Sequence, residues 1–248
     1  DGINDINLNK KPRAIITFDD GYYDFYENAL PILIKYKMPA VQHVITSCAE
    51  TGESFWTQKL NKTVEAYFFS KNVLYLKELN LRYNPKSSSE CEKVALDLYL
   101  KLLIYPKRDA LIDDLYQEID KNVEFTRMMR WHELAECAKN NISIGSHTHN
   151  HINLKTADSK ELFFELECSR ELIKDNIKSQ NCDSLAFPNG LFNEQVIGVA
   201  KSSGYKFLFS TEPNSILFSK MPVVLPRISL YHQLWWKNYL KLIISYLS

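Results

Sequence analysis

Long apolar runs are missing from this 248-residue chain. No stretch of about eighteen such residues occurs, which excludes a membrane-spanning helix. Charge of one sign is missing as well. Thirty Lys and Arg balance thirty Asp and Glu, so no net field draws the chain to a polyanion, and nucleic acid is not an expected partner. No C-x-x-C occurs among Cys48, Cys91, Cys137, Cys168 and Cys182, which argues against a thiolate zinc site. Scattered thiols suit a reducing compartment better than a disulfide framework, so a cytoplasmic location is the expectation. Residue 1 is Asp rather than Met. The N-terminus is therefore read as trimmed, and export stays open. Internal repeats and low-complexity tracts are absent too.

What is present is an ordinary globular composition, 45% hydrophobic and 24% charged, enough for a sizeable core. Short apolar runs alternate with helical patterns. "RAIITF" (13–18), "AVQHVITS" (40–47), "ISIG" (142–145), "SLAF" (184–187), "YKFLFS" (205–210) and "VVLPRISL" (223–230) read as strands. Residues 22–37, 131–140, 158–177 and 193–204 read as helices. Asp158 and Glu161 offer a capping box to the third and Asn193 an N-cap to the fourth, with Gly204 at its stop. This is a parallel α/β order. From about residue 51 to 126 the pattern turns helical, including "VLYLKEL" (73–79), and reads as an insertion into one domain spanning 1–248. The C-terminal "LWWKNYLKLIISYL" (234–247) reads as an amphipathic helix packed on the sheet. Trp235, Trp236 and Tyr239 beside two lysines leave peripheral membrane contact as its alternative.

Polar clusters collect where the predicted strands end. Asp19, Asp20 and Gly21 follow the first, the histidine-rich "GSHTHNH" (145–151) another, and Pro188, Asn189 and Gly190 a third. In parallel α/β sheets that edge builds the active site. Adjacent side chains in extended backbone point to opposite faces, so Asp19 and Asp20 can take different roles; alone, "DDG" reads equally as a turn. If the histidine loop makes a helical turn, His147 and His151 share a face; if it stays extended, His149 joins them. Two histidines plus one Asp would leave a divalent metal with open positions, as catalysis requires. Of the other histidines, His43 reads as a packed strand residue and His132 as a surface one. His232 reads either as a site residue or as a loop residue.

"TFDDG" (17–21), "SHTHNH" (146–151) and "FPNG" (187–190) occur in an order that resembles the polysaccharide deacetylases, which include chitin and peptidoglycan deacetylases. The match covers roughly 12–50 and 126–230. The resemblance implies a distorted (β/α) barrel of seven strands. It implies a divalent metal, zinc first and cobalt, nickel or manganese as alternatives, held by Asp20, His147 and His151. Asp19 would be the general base, and the backbone N–H near Asn189, after Pro188, would stabilise the oxyanion. Thr148 would support the loop. The implied reaction removes acetate from an N-acetylated glycan, either a polysaccharide or a lipid-linked sugar. Two departures stand out. The arginine of the third motif is absent, since Leu185, Ala186 and Phe187 precede Pro188; Arg227 in "PRIS" is the candidate substitute. The late Leu-x-x-His spacing is not met, because Leu230 lies two residues before His232, which is still the candidate for protonating the leaving amine. These departures look like the branch found among bacterial surface-polysaccharide and lipid-linked sugar enzymes. An inactive carbohydrate-binding member and an amidase on a non-sugar substrate are the alternatives. Phe55 and Trp56, at the start of the insertion, read as a sugar subsite or as core.

Overall fold

Six strand-like runs and their intervening helices become a parallel sheet in the computed structural model. It describes residues 14–70, 73–103, 107–119, 126–211, 223–230, 237–238 and 241. The chain divides into two compact units, one made of Asp1–Thr51 with Met129–Ser248 and the other of Gly52–Met128.

The first unit begins with β1 (Ile16–Phe18). A wide turn of π-helix over Phe25–Ala29 follows and runs into α1 (Leu30–Lys35). Pro31, in the first turn of α1, has no N–H to give the preceding turn, and a proline there is a common cause of a local departure from α geometry. β2 (Ala40–Val44) pairs parallel with β1. It stops sooner than its apolar run does. α2 (Thr46–Thr51) starts instead, because the N–H groups of Thr46 and Ser47 bind the carbonyls of Thr148 and His149, which satisfies a helix N-terminus.

The second unit holds α3 (Trp56–Phe69), a hairpin of β3 (Leu74–Leu76) and β4 (Leu81–Tyr83), α4 (Ser88–Leu102) and α5 (Arg108–Gln117). The hairpin corrects the helical reading of 73–79 over Leu74–Leu76, while Lys77–Leu79 between its strands forms one turn of 3₁₀ helix. Leu74 and Leu76 are buried while Tyr75 between them is exposed, which is the period of a strand. Leu60, Val64, Leu98, Leu102 and Ile112 are buried in this unit. Trp56 stacks on Tyr99 at 5.3 Å and carries the Arg108 guanidinium 4.2 Å from a ring centroid. Phe55 and Trp56 are therefore buried core residues, not an open sugar subsite.

Back in the first unit come α6 (Trp131–Lys139), β5 (Ile142–Ser146), α7 (Ser159–Asn176), β6 (Ser184–Ala186), α8 (Glu194–Ser202), β7 (Phe207–Phe209) and β8 (Val224–Leu225). The sheet order is β1-β2-β5-β6-β7-β8, parallel throughout. Each strand joins beside the one before it in this unit, so all the strand C-termini lie along one edge. The sheet curls into an incomplete barrel: Arg227, just past β8, reaches Asp19, just past β1. Where the resemblance implied seven strands, the described residues supply six. The apolar runs themselves number six, and the seventh has no counterpart among the described residues. β8 ends early because Pro226 cannot donate to a ladder.

Asp158 caps α7 by accepting from the N–H groups of Lys160 and Glu161, and Asn193 caps α8 by accepting from Val196. Leu162, Leu166 and Ile173 of α7 and Val196 and Ala200 of α8 bury against Ile142, Ile144, Leu185 and Leu208 of the sheet. A fully buried leucine contributes about 1.5–3 kcal/mol, so this face is a rigid base for the strand ends. No helix among the described residues is long and apolar enough to cross a membrane. Trp235, Trp236 and Tyr239 of the expected C-terminal helix lie outside the described residues, as does His232.

Candidate metal centre and active site

The turn after β1 splits its two carboxylates. Asp20 adopts φ +71° and Gly21 φ +92°, and the N–H of Gly21 closes back on the carbonyl of Asp19 at 2.9 Å. The N–H of Ile45 binds the Asp20 carbonyl and that of Met129 binds the Gly21 carbonyl, so the turn is pinned from two neighbouring segments. A left-handed non-glycine residue costs on the order of 1–2 kcal/mol. The consequence here is that Asp19 and Asp20 face different partners.

Asp20 faces the histidine loop. Its Oδ1 lies 3.4 Å from His147 Nε2 and 3.7 Å from His151 Nε2. The ligand atoms of the three residues all fall within 4.8 Å of one another. His147 Nδ1 sits 2.8 Å from the Ala186 carbonyl. A carbonyl only accepts, so Nδ1 carries the proton and Nε2 turns a lone pair toward Asp20. A lone pair facing a carboxylate oxygen is unfavourable unless a cation or a second proton lies between them. Two ligands on a tetrahedral zinc, with bonds near 2.0–2.1 Å, stand about 3.3 Å apart, so the donor set fits a divalent metal. Burial pushes the His147 imidazole down, but Asp19 and Asp20 outweigh it and the net shift is upward. The position that attracts the proton is the one a cation would take.

The loop reaches this geometry by neither route open to the sequence. Thr148 and His151 both have positive φ, 69° and 53°, so the segment is neither a helical turn nor a strand. Thr148 Oγ1 accepts from the His151 N–H at 3.0 Å, and its own N–H donates to Ser146 Oγ at 3.0 Å. That closed turn folds His147 and His151 together, ring centroids 5.0 Å apart. His149 turns the other way. Its Nδ1 meets Thr46 Oγ1 at 2.9 Å and its ring packs edge-on against Phe164.

Asp19 faces Arg227 and His43. Arg227 forms a two-pronged pair with it, Nη1 to Oδ1 at 2.7 Å and Nη2 to Oδ2 at 2.6 Å. The same guanidinium donates to the Ser210 carbonyl and to Thr17 Oγ1. His43 Nδ1 lies 3.2 Å from Asp19 Oδ1. Burial raises the Asp19 carboxyl, but His147, His43 and Arg227 together hold it well below the usual carboxylate range. With His147 neutral on a metal, Arg227 and His43 still favour the carboxylate. The His43 imidazole moves the other way: its burial pushes it down against the pull of Asp19.

Support lies under the loop. Glu165 of α7 is buried and accepts from the backbone N–H groups of His149 and Asn150 and from the Asn150 side chain, at 2.8–2.9 Å. Ser146 Oγ, which holds Thr148, continues through Ser169 Oγ to Tyr205 at 2.8 and 3.0 Å. Pro188 and Gly190 bracket Asn189 in a tight turn at the end of β6, with Asn189 at φ +56°. A Cβ on Gly190 would lie 2.2 Å from Thr211 Oγ1, so only glycine fits. His132 is exposed on α6 beside Glu133.

His43 and Glu165, which the motifs do not contain, join the candidate site through Asp19 and the histidine loop. The signal for His43 was its position one past Gln42, which pairs with Phe18, just as Asp19 is one past Phe18. Only the strand register reveals it.

The sequence matches the family model described as polysaccharide deacetylase over residues 7–96 and 100–208. Among curated proteins, the chain is 26% identical over 213 residues to poly-beta-1,6-N-acetyl-D-glucosamine N-deacetylase of Staphylococcus aureus, covering 86% of this chain and 52% of that one. It thus spans about half the length of the curated relatives it matches. Among solved structures, the deacetylase PplD of Streptococcus pyogenes, in complex with acetate, superposes with TM-score 0.57 at 19% identity, covering 97% of this chain and 74% of that one. The deacetylase domain of BpsB from Bordetella bronchiseptica gives 0.53 at 17%, covering 86% and 69%. At these identities the structures speak for the fold alone. With a family match over most of its length and the same incomplete barrel, this chain belongs to the polysaccharide deacetylase family.

Proposed function

We propose that this chain is a metal-dependent hydrolase that removes N-acetyl groups from an N-acetylated glycan and releases acetate. The observation that carries the reading is one juxtaposition. A carboxylate held ionised by Arg227 stands next in sequence to a carboxylate that shares a cage with two histidines.

Asp20, His147 and His151 would hold the metal, zinc in the first instance, with cobalt, nickel or manganese as replacements. A divalent cation there lowers the pKa of water and polarises the acetamide carbonyl. Asp19 takes the proton from the attacking water, and Arg227 keeps it ionised and aimed. The backbone at the Asn189 turn, after Pro188, would face the oxyanion that forms as the water oxygen bonds to the carbonyl carbon. The C–N bond then breaks, and the amine nitrogen takes a proton, with His232 as its candidate donor. Thr148 acts through the loop by keeping His147 and His151 together. The products are acetate and a free amine on the sugar.

A β-1,6-linked N-acetylglucosamine polymer is the first substrate class to test, since the Staphylococcus aureus relatives are named for it. Zinc-loaded protein is expected to release acetate from oligomers of this sugar, and metal-stripped protein to release none until zinc is restored. No acetate from the zinc-loaded protein on β-1,6- or β-1,4-linked oligomers would overturn the reading in favour of a non-catalytic glycan-binding member.

A further inference from the structure

β1 and β2 run side by side with Phe18 opposite Gln42, so Asp19 and His43 leave the pair together at its C-terminal end. The His43 side chain is fully buried. Phe209 packs on the imidazole, centroids 5.2 Å apart. Gly145, its register partner on β5, lies along the other edge of the ring. A Cβ at position 145 would stand 2.5 Å from His43 Cδ2, 3.0 Å from its Nε2 and 2.3 Å from Ser184 Oγ. Glycine at 145 therefore makes room for the imidazole. This is a requirement of space, since Gly145 has no positive φ.

The position of the ring proton follows. His43 Nε2 has no hydrogen-bond partner among the described residues, while Nδ1 faces Asp19 Oδ1 at 3.2 Å. A neutral imidazole carries one N–H. Facing a carboxylate, that N–H makes a charge-assisted bond; facing Gly145, it would be buried unmade, with the Nδ1 lone pair set against a carboxylate oxygen. Nδ1 is the donor.

Each carboxylate oxygen offers about two lone-pair sites. Among the described residues, Oδ1 of Asp19 has two donors, Arg227 Nη1 and His43 Nδ1, whereas Oδ2 has one, Arg227 Nη2. We infer that His43 is a positioning residue: with Arg227 it closes Oδ1 and leaves Oδ2 as the oxygen of Asp19 that takes the proton from the attacking water. This rests on the reading of Asp19 as the base. Arg227 alone, bound symmetrically, would leave one site open on each oxygen. The histidine breaks that symmetry and gives the base a single direction.

Two experiments test it. Nitrogen-15 NMR of histidine-labelled protein should report His43 as the Nδ1–H tautomer, with that signal displaced in Asp19→Ala. In acetate-release assays, His43→Phe keeps a ring against Phe209 and removes the donor. It is expected to lose about tenfold in kcat, with KM and zinc content within about twofold, as misaiming of a reacting group would do. His43→Asn is smaller and packs less well, yet its amide N–H can stand where Nδ1–H does. It should be more active than His43→Phe, an inversion that a packing role would not produce. An Nε2–H tautomer in the wild type, wild-type kcat in His43→Phe, or Asn less active than Phe would each overturn the inference. If the wild type releases no acetate, the functional reading falls by itself, and the tautomer decides the Asp19–His43 pairing.

Discussion

The two compact units use similar residue types in opposite ways. In the unit of Gly52–Met128, an arginine and two aromatics, Arg108, Trp56 and Tyr99, stack on one another as packing. One described non-glycine residue there has positive φ, Asn80 in its hairpin turn. In the sheet unit, His43, His147, His151, Thr148 and Glu165 are buried, and Asp20, Thr148, His151 and Asn189 adopt left-handed backbone at the strand ends. Burying polar groups and straining backbone both cost stability. The two costs fall on the same residues at the C-terminal edge of the sheet, whereas Lys37, Asn141 and Cys182 take positive φ singly at its other edge. The lesson is that the site is recognised less by its aromatic or charged content than by where polar burial and backbone strain coincide.

Substitutions can break this contrast. The largest effect is expected at Asp20→Asn, which would remove the one anionic member of the proposed ligand set. Zinc content by mass spectrometry should fall to trace levels, and acetate release by at least about a hundredfold, as loss of a metal ligand does. A variant that keeps stoichiometric zinc would show that the cage lies elsewhere. Glu165→Gln comes next. It leaves the Asn150 side chain and two loop N–H groups without a carboxylate and should weaken zinc about tenfold or more, the scale seen for groups that hold a ligand in place. Competition with a chelator measures this; unchanged affinity would separate the loop from its support. Trp56→Leu in the other unit is the control. It should lower the melting temperature, consistent with a cost of about 3 kcal/mol for a truncated core aromatic, and leave kcat within about twofold. A large fall in kcat at full folding would return Trp56 to the active site.

Part of this could be read from residues alone. The four motif side chains, Asp19, Asp20, His147 and His151, stand at strand ends because short apolar runs mark those ends. The choice of His147 and His151 over His149 could not be read from spacing, because it depends on a turn closed by Thr148 Oγ1 and on two positive φ angles. Arg227 is far from Asp19 in sequence, and their pairing requires the sheet to curl until its edges meet. His43 looks like any strand histidine until register sets it beside Asp19. Glu165 sits inside an amphipathic helix whose pattern explains its neighbours and hides its contact with the loop. The hairpin at 74–83 escaped because its strands are three residues long, too short for periodicity to separate strand from helix.

The central claim is that two adjacent carboxylates divide the work, Asp20 holding the metal and Asp19 moving the proton. Asp19→Asn tests it most directly, with zinc content and acetate release measured on the same preparation. The account predicts one equivalent of zinc retained, and acetate release reduced by about 10²–10⁴-fold as for loss of a general base. Full activity in Asp19→Asn, or loss of its zinc, would contradict the division of roles.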